Sequence, residues 1–272
     1  MSGFTTAFIG AGNMSRSIIG GLVTSGFDAD SIRASNPGDG PFAELRKIGL
    51  TDLAHSNVSV AETADVVVLG VKPNLIREVC EELSPVLGAN HLVVSVAAGV
   101  AADSIHDWLG AKSEVVRCMP NTPSQIGGGA TGLFARSSVS AENRQRAEDI
   151  MRAVGIVRWV DDESLLHAVT AVAGSAPAYF FQFMEAMIDE AQRMGLDAES
   201  ARTLCAQTCI GAGRMVAEGD VEASELRRRV CSPNGTTERA VMAFSTGGLD
   251  KLVSKAMQDC YARSEEMGRE LS

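Results

Sequence analysis

Basic charge is scarce in this 272-residue chain: 24 lysines and arginines stand against 34 aspartates and glutamates, a net charge of −10. That balance argues against a nucleic-acid-binding surface. The densest basic cluster, Arg227-Arg228-Arg229, reads as the charged side and end of a short helix. No apolar run reaches the ~18 residues of a membrane span. The amino-terminal residues enter a strand with no basic-then-apolar leader, so no signal peptide is expected and the cytoplasm is the expected compartment. The six cysteines form no Cys-x-x-Cys pair. Cys205 and Cys209 share one helical face, but His55, His91, His106 and His167 are dispersed and complete no metal site. Reduced buried thiols and no metal are therefore expected. What is present, 45% hydrophobic and 21% charged residues, describes a soluble globular protein. The length calls for two domains.

The stretch Thr5 to Ser15 organises the chain. An apolar run, Thr6-Ala7-Phe8-Ile9, stops at Gly10-Ala11-Gly12 and feeds a helix from Met14 to Ser25. A strand that turns through Gly-x-Gly into a helix offers bare backbone N–H groups at the positive helix end, a seat for a pyrophosphate. Gly10 permits the tight turn, and Gly12 lets a phosphate approach without meeting a Cβ. Ser15 takes the third fingerprint position, where Gly or Ala is usual. A plain glycine-lined turn is the competing reading, and the following strands weigh against it.

Asp65 to Leu69, His91 to Val96 and Val115 to Met119 are unbroken apolar runs without polar alternation, as in parallel strands covered on both faces. Helices between them predict a Rossmann-type doubly wound parallel sheet, an α/β fold. Ligands in such sheets sit beyond the carboxyl ends of the strands. Here those ends are Gly10–Met14, Ser35–Pro37, Gly70–Pro73, Ala97–Gly99 and Pro120–Pro123. The second strand, Ser31–Ser35, ends in Ser35-Asn36-Pro37, where an NAD-binding unit would carry a carboxylate for the ribose 2′-hydroxyl. Hydroxyl and amide donors with Arg33 close by suit a 2′-phosphate, so NADPH is expected, with NADH the second candidate and Asp39 the residue that opposes the argument. A strand over Thr131–Ala135, a charged helix from Ala141 and a strand over Ile156–Val160 follow.

Composition changes at Asp161-Asp162-Glu163, and only helices follow. The division predicted is a dinucleotide-binding domain over 1–160 and a helical domain over 161–272. Ser164 to Ala173 and Pro177 to Met194 read as two helices, or one long helix kinked at Gly174-Ser175-Ala176-Pro177, the second part, Tyr179-Phe180-Phe181-Gln182-Phe183-Met184, being apolar around most of its circumference. About 110 residues have difficulty covering such a helix alone, so an all-helical dimerisation domain and a homodimer are expected. A central helix inside the monomer is the competing reading. The next helix is expected to bury Ala201, Leu204, Cys205, Thr208, Ala212, Met215 and Val216, and the last runs from Leu249 to Leu271.

Between those helices lies Ser232-Pro233-Asn234-Gly235-Thr236-Thr237, a sharp turn with Thr236 or Thr237 as the expected helix N-cap. Its N–H groups and hydroxyls suit a small carboxylate. The segment holds no carboxylate–histidine pair, no Ser–His pair and no reactive lysine. Chemistry there would lean on a cofactor and on positioning.

These blocks together resemble the pyrroline-5-carboxylate reductases, enzymes of the last step of proline biosynthesis. The resemblance runs through Gly10-Ala11-Gly12-Asn13-Met14, Val71-Lys72-Pro73, Arg117 to Pro123, Ala173 to Tyr179 and Ser232 to Thr237. Two positions depart: Asn234 replaces a glycine of Ser-Pro-Gly-Gly-Thr-Thr, and Ala176 a glycine of Gly-Ser-Gly-Pro. The resemblance implies hydride transfer from NAD(P)H to the C=N carbon of 1-pyrroline-5-carboxylate, a cyclic imino acid. It implies cofactor contacts at Gly10, Ala11, Gly12, Asn13, Met14, Ser35, Asn36, Pro37, Asn57, Val71, Lys72, Pro73, Ala97, Ala98 and Gly99. Ser232, Gly235, Thr236 and Asn121 would hold substrate, with Thr237 at the ring nitrogen. Asp220 or Glu222 would face the substrate amine. It further implies interlocked dimers, which in some members assemble into larger rings. A β-hydroxyacid-dehydrogenase-like reductase is the alternative enzyme, needing a helix lysine where only Lys251 and Lys255 occur. A non-catalytic NADP(H)-binding sensor is the alternative outside enzymes.

Overall fold

In a computed structural model of the chain, residues 3–271 are described. The chain folds as two compact units, Met1–Pro177 with Cys260–Ser272, and Ala178–Asp259.

The first unit is built on one sheet with strand order β3-β2-β1-β4-β5-β6-β7-β8. The strands are β1 (Thr6–Ile9), β2 (Ile32–Ser35), β3 (Leu53–Ala54), β4 (Val66–Leu69), β5 (Leu92–Ser95), β6 (Glu114–Met119), β7 (Gly129–Ala135) and β8 (Gly155–Trp159). Strands β1 to β6 pair in parallel. Alternate residues enter opposite layers: Phe8, Val66, Val68 and Val94 pack with Ile18, Ile19 and Leu22 of α1 (Asn13–Thr24) and with Ile150 of α6 (Ala141–Arg152). Ile9, Val67, Leu69 and Val93 pack on the other face, with α3 (Asn57–Ala61), α4 (Ile76–Leu83) and α5 (Ala102–Trp108). Burial on both faces is why these strands read as continuous apolar runs. The short helix α2 (Phe42–Lys47) follows β2.

The sheet departs from the all-parallel expectation at one edge. β7 runs antiparallel to β6, and β8 pairs in parallel with β7. The cause is the connection: residues 120–128 form a short 3₁₀ turn, too short for the crossover that a parallel neighbour requires.

The composition break at Asp161 marks the end of strand-forming sequence, but residues 161–177 stay compact with the sheet. Helix α7 (Leu165–Val169) packs on β7 and runs into a π-helical turn over Thr170–Gly174. Then α8 (Ala176–Arg193) begins. In an unbroken helix the Ala173 carbonyl would receive the N–H of residue 177, which Pro177 lacks. Asn121 Nδ2 supplies that hydrogen bond at 3.1 Å, while Asn121 Oδ1 accepts the Ala130 N–H at 2.9 Å. We expect Asn121→Asp to lower the unfolding free energy by about 2 kcal/mol, since it sets a carboxylate oxygen against the carbonyl. Urea denaturation measures this, and an unchanged midpoint would refute the clamp.

The second unit comprises most of α8 with α9 (Ala198–Glu218), α10 (Ala223–Val230), α11 (Thr236–Thr246) and the first half of α12 (Leu249–Leu271). Its apolar side chains are largely uncovered within one chain. Of the stripe expected on α9, only Ala201 and Cys205 are buried, while Leu204 is 59% and Met215 57% exposed. Phe180 and Phe181 of α8 are equally open. Most of α8 is exposed within one chain, which weighs against the central-helix-in-a-monomer reading.

The end of α12 belongs to the sheet unit. His167 Nδ1 and Ser264 Oγ share a hydrogen bond at 2.9 Å, and the Tyr261 ring meets the imidazole edge-on. Burial first, then Arg117, hold the His167 pKa below its ordinary 6.5, with Arg269 adding and Glu265 and Glu163 opposing. A histidine whose folded-state pKa is lowered leaves stability intact above the ordinary value and removes it as pH falls. Lowering the pH from about 7 to 5 should therefore depress Tm more in the wild type than in His167→Gln; parallel Tm curves would contradict this.

Candidate active site

The β1–α1 turn is the candidate cofactor seat. Gly10 has φ +87°, a conformation that favours glycine, and a Cβ there would meet Val71 Cγ1 at 2.8 Å. Its N–H is bonded to Ser35 O at 3.0 Å, and the Ala11 N–H to Asn36 Oδ1 at 3.3 Å. Gly12 is the N-cap of α1, and no side chain caps the helix. A Cβ on Gly12 would meet nothing nearer than Gly70 O at 4.0 Å. The space beside Gly12 is therefore open, the first-turn N–H groups are uncapped, and the helix dipole supplies positive potential. This geometry fits a pyrophosphate. Ser15 has the packing role of the third fingerprint position: it is fully buried, a Cβ on Gly70 would overlap its Oγ, and that hydroxyl has no hydrogen-bond partner among the described residues.

The other cofactor candidates gather along the same carboxyl edge of the sheet. Val71, Lys72 and Pro73 follow β4, with Pro73 opening a 3₁₀ turn. Ala97, Ala98 and Gly99 follow β5. Asn13 and Met14 begin α1, and Asn13 Oδ1 accepts from Arg16 at 2.7 Å.

The tip of β2 is arranged differently from the reading of free donors. Ser35 is buried and its hydroxyl donates to Asn57 Oδ1 at 2.7 Å, while Asn57 Nδ2 donates to Glu82 at 2.7 Å. Asn36 Nδ2 donates to Gly38 O at 2.7 Å. Arg33 lies 3.0 Å from Asp52 and not at the tip. Ser35 and Asn57 thus support the tip from below. His55, just beyond β3, joins it: its Nδ1 lies 2.9 Å from Asn36 O, and its Nε2 3.5 Å from Asp39. Sequence reading passed over His55 because a two-residue strand leaves no periodic signal to place it.

A separate candidate region is the loop between α10 and α11, in the helical unit. Asn234 has φ +60°, a left-handed conformation that asparagine tolerates better than other non-glycine residues. The Gly235 N–H bonds Ser232 O at 2.9 Å, and the Asn234 N–H bonds Glu238 Oε2 at 2.7 Å. The N-cap of α11 is Gly235, with extended backbone, and neither Thr236 nor Thr237. A glycine cap contributes no side-chain acceptor, so the first-turn N–H groups lack the usual hydroxyl cap and stand beside the hydroxyls of Thr236 and Thr237. Ser232 and Thr236 are exposed and Thr237 half-buried. Asp220 and Glu222 are both exposed ahead of α10. Asn121, expected with substrate, has both ends of its amide engaged in the sheet unit.

Among the described residues no cluster of His, Cys, Asp or Glu could hold a metal ion, and no helix is long and apolar enough to cross a membrane. Burial pushes the Cys80 thiol up to about 12 and raises that of Cys118 further. Neither is a thiolate nucleophile at neutral pH.

The profile for pyrroline-5-carboxylate reductase dimerisation matches residues 163–267. That for NADP oxidoreductase, coenzyme F420-dependent, matches residues 5–99. A pyrroline-5-carboxylate reductase of Pseudomonas aeruginosa is 48% identical over 265 residues, 97% of each chain. This chain belongs to the pyrroline-5-carboxylate reductase family. The solved pyrroline-5-carboxylate reductase of Coxiella burnetii superposes with TM-score 0.93 at 42% identity, covering 98% of this chain and 99% of that one. A pyrroline carboxylate reductase of Plasmodium falciparum, solved with NADP bound, gives 0.87 at 25% identity, with 98% and 99% covered. A 3-hydroxyisobutyrate dehydrogenase of Mycobacterium tuberculosis, 18% identical at TM-score 0.52, shares the fold alone.

Proposed function

We propose that this chain catalyses the NADPH-dependent reduction of 1-pyrroline-5-carboxylate to proline, the last step of proline biosynthesis, as a cytoplasmic homodimer. The observation that carries this reading is the coexistence of the uncapped α1 N-terminus beside Gly12 with the Gly235-capped α11 N-terminus flanked by Ser232, Thr236 and Thr237. The bound nicotinamide supplies the hydride. In this reading residues 1–160 hold the cofactor, through the Gly10–Met14 turn, the Ser35–Pro37 tip with Asn57, Val71–Pro73 and Ala97–Gly99. Residues 161–272 carry the substrate loop and the dimer contacts.

The chain's own residues have simple tasks. Backbone N–H groups at Gly235 and the start of α11, with the Ser232 and Thr236 hydroxyls, receive the substrate carboxylate. Thr237 donates to the ring nitrogen and relays its proton; cyclic imines are readily protonated near neutral pH, so no strong acid is required. Asp220 or Glu222 faces the amine. Asn121 acts through the Pro177 kink and not on substrate. The uncovered Phe180, Phe181 and Leu204 support a second copy over the helical unit, each apolar side chain contributing roughly 1.5–3 kcal/mol on burial. Larger rings of dimers would need a further interface, since a two-fold contact closes on itself. The lysine-dependent alternative has no support: Lys255 is paired with Asp259 and Lys251 is exposed.

NADPH is preferred because no carboxylate occupies the β2 tip position itself; Asn36 does, with His55 on its carbonyl. Asn36→Asp should lower the ratio of kcat/KM for NADPH over NADH by roughly tenfold to a hundredfold, the cost of opposing like charges. An unaltered ratio in steady-state assays would remove Asn36 from cofactor selection.

A further inference from the structure

Arg117 is the odd residue of β6. It lies between Val116 and Cys118 in the core of the sheet and is only 7% exposed. Burying a guanidinium is costly unless its donors are matched. Among the described residues its one hydrogen bond runs from Nη1 to Glu163 Oε1 at 2.7 Å. The same oxygen also accepts the Ala102 N–H at 2.7 Å. Arg117 lines a cavity of about 480 Å³, within the roughly 300–1,000 Å³ of small-molecule sites. Glu163, His167, Glu265 and Arg269 line it too. The side chains of Glu265 and Arg269 take part in no hydrogen bond or salt bridge among the described residues. Gly99, Ala101 and Gly268 form small-residue walls that leave the volume open.

The charges decide what fits. Two arginines face two glutamates, and His167 is held toward its neutral form by burial, so the lining is balanced. A lone anion or a lone cation would leave half of it unanswered. We propose that this cavity is a binding site for a small zwitterion of the free amino-acid class. Its carboxylate would lie on the Arg117 and Arg269 guanidinium groups. Its ammonium would lie between Glu265 and the second oxygen of Glu163. The site shares no residue with the Ser232–Thr237 loop or the Gly10–Met14 turn, and touches the cofactor candidates only at Gly99.

The test is isothermal titration calorimetry of the full-length protein with glycine, L-alanine and L-serine, acyclic probes unlike the cyclic imine. Acetate and methylammonium are the single-charge controls. At least one zwitterion should bind with a Kd in the roughly millimolar range, and both controls about tenfold more weakly. Arg269→Gln, at an exposed position, and Glu265→Gln, at a half-buried one, should each weaken that binding about tenfold while reductase activity is unchanged. Absence of binding by all three zwitterions overturns the proposal. So does acetate binding as tightly as they do, or heat fully retained in both variants, which would locate the probe elsewhere. The reductase reading has its own assay and stands or falls apart from this one.

Discussion

Gly12→Val is expected to raise the KM for NADPH by roughly two orders of magnitude or more while leaving the fold intact, because the side chain enters the space a pyrophosphate would take. The structure separates those two consequences. A Cβ at Gly12 meets only Gly70 O at 4.0 Å, so the protein itself has room for it. Gly10 is the contrast: positive φ and a 2.8 Å encounter with Val71 mean that Gly10→Val should damage stability as well as binding. Fluorescence titration with NADPH, run beside thermal unfolding, distinguishes the two. A Gly12→Val protein that binds NADPH normally would show that the α1 N-terminus is not the cofactor seat.

Thr237→Ala should lower kcat/KM for 1-pyrroline-5-carboxylate by about a hundredfold, the usual scale for removing one well-placed hydrogen-bonding or proton-relaying group at the reacting atoms. Thr237 is the second residue of α11 and half-buried, and Gly235 holds the cap position, so its hydroxyl is not spent on capping the helix. Its removal should therefore cost little stability. Thr237→Ser, which keeps the hydroxyl, should recover most of the rate. Stopped-flow NADPH oxidation measures both variants, and an alanine variant with unchanged kcat/KM would take Thr237 out of the mechanism.

The parts legible in the sequence were those whose physics is local. Val66 to Leu69 and Leu92 to Ser95 are apolar on both faces and announce buried parallel strands. Gly10 and Gly12 announce a tight strand-to-helix turn with bare backbone, and that turn is observed. Asn234, which stands where the resembled motif has a glycine, adopts the left-handed conformation that asparagine tolerates. What escaped depends on partners distant in sequence. The direction of β7 is set by the length of residues 120–128 and not by its own residues. Leu204, Met215 and Val216 are apolar at helical spacing yet exposed in one chain, so their periodicity is consistent with cover from another. Asn121 in a Pro-Asn-Thr-Pro turn gives no hint that its amide completes a helix broken by Pro177, fifty-odd residues away. Ser35 and Arg33 carry donors as read, but Asn57 and Asp52 already engage them.

The most direct measurement is the stoichiometry of the reaction itself. Purified protein, NADPH and 1-pyrroline-5-carboxylate should yield proline in a one-to-one ratio with NADPH oxidised, faster than with NADH. NADPH that binds but is not oxidised by this imine, with no proline formed, would contradict the account and favour a cofactor-binding sensor.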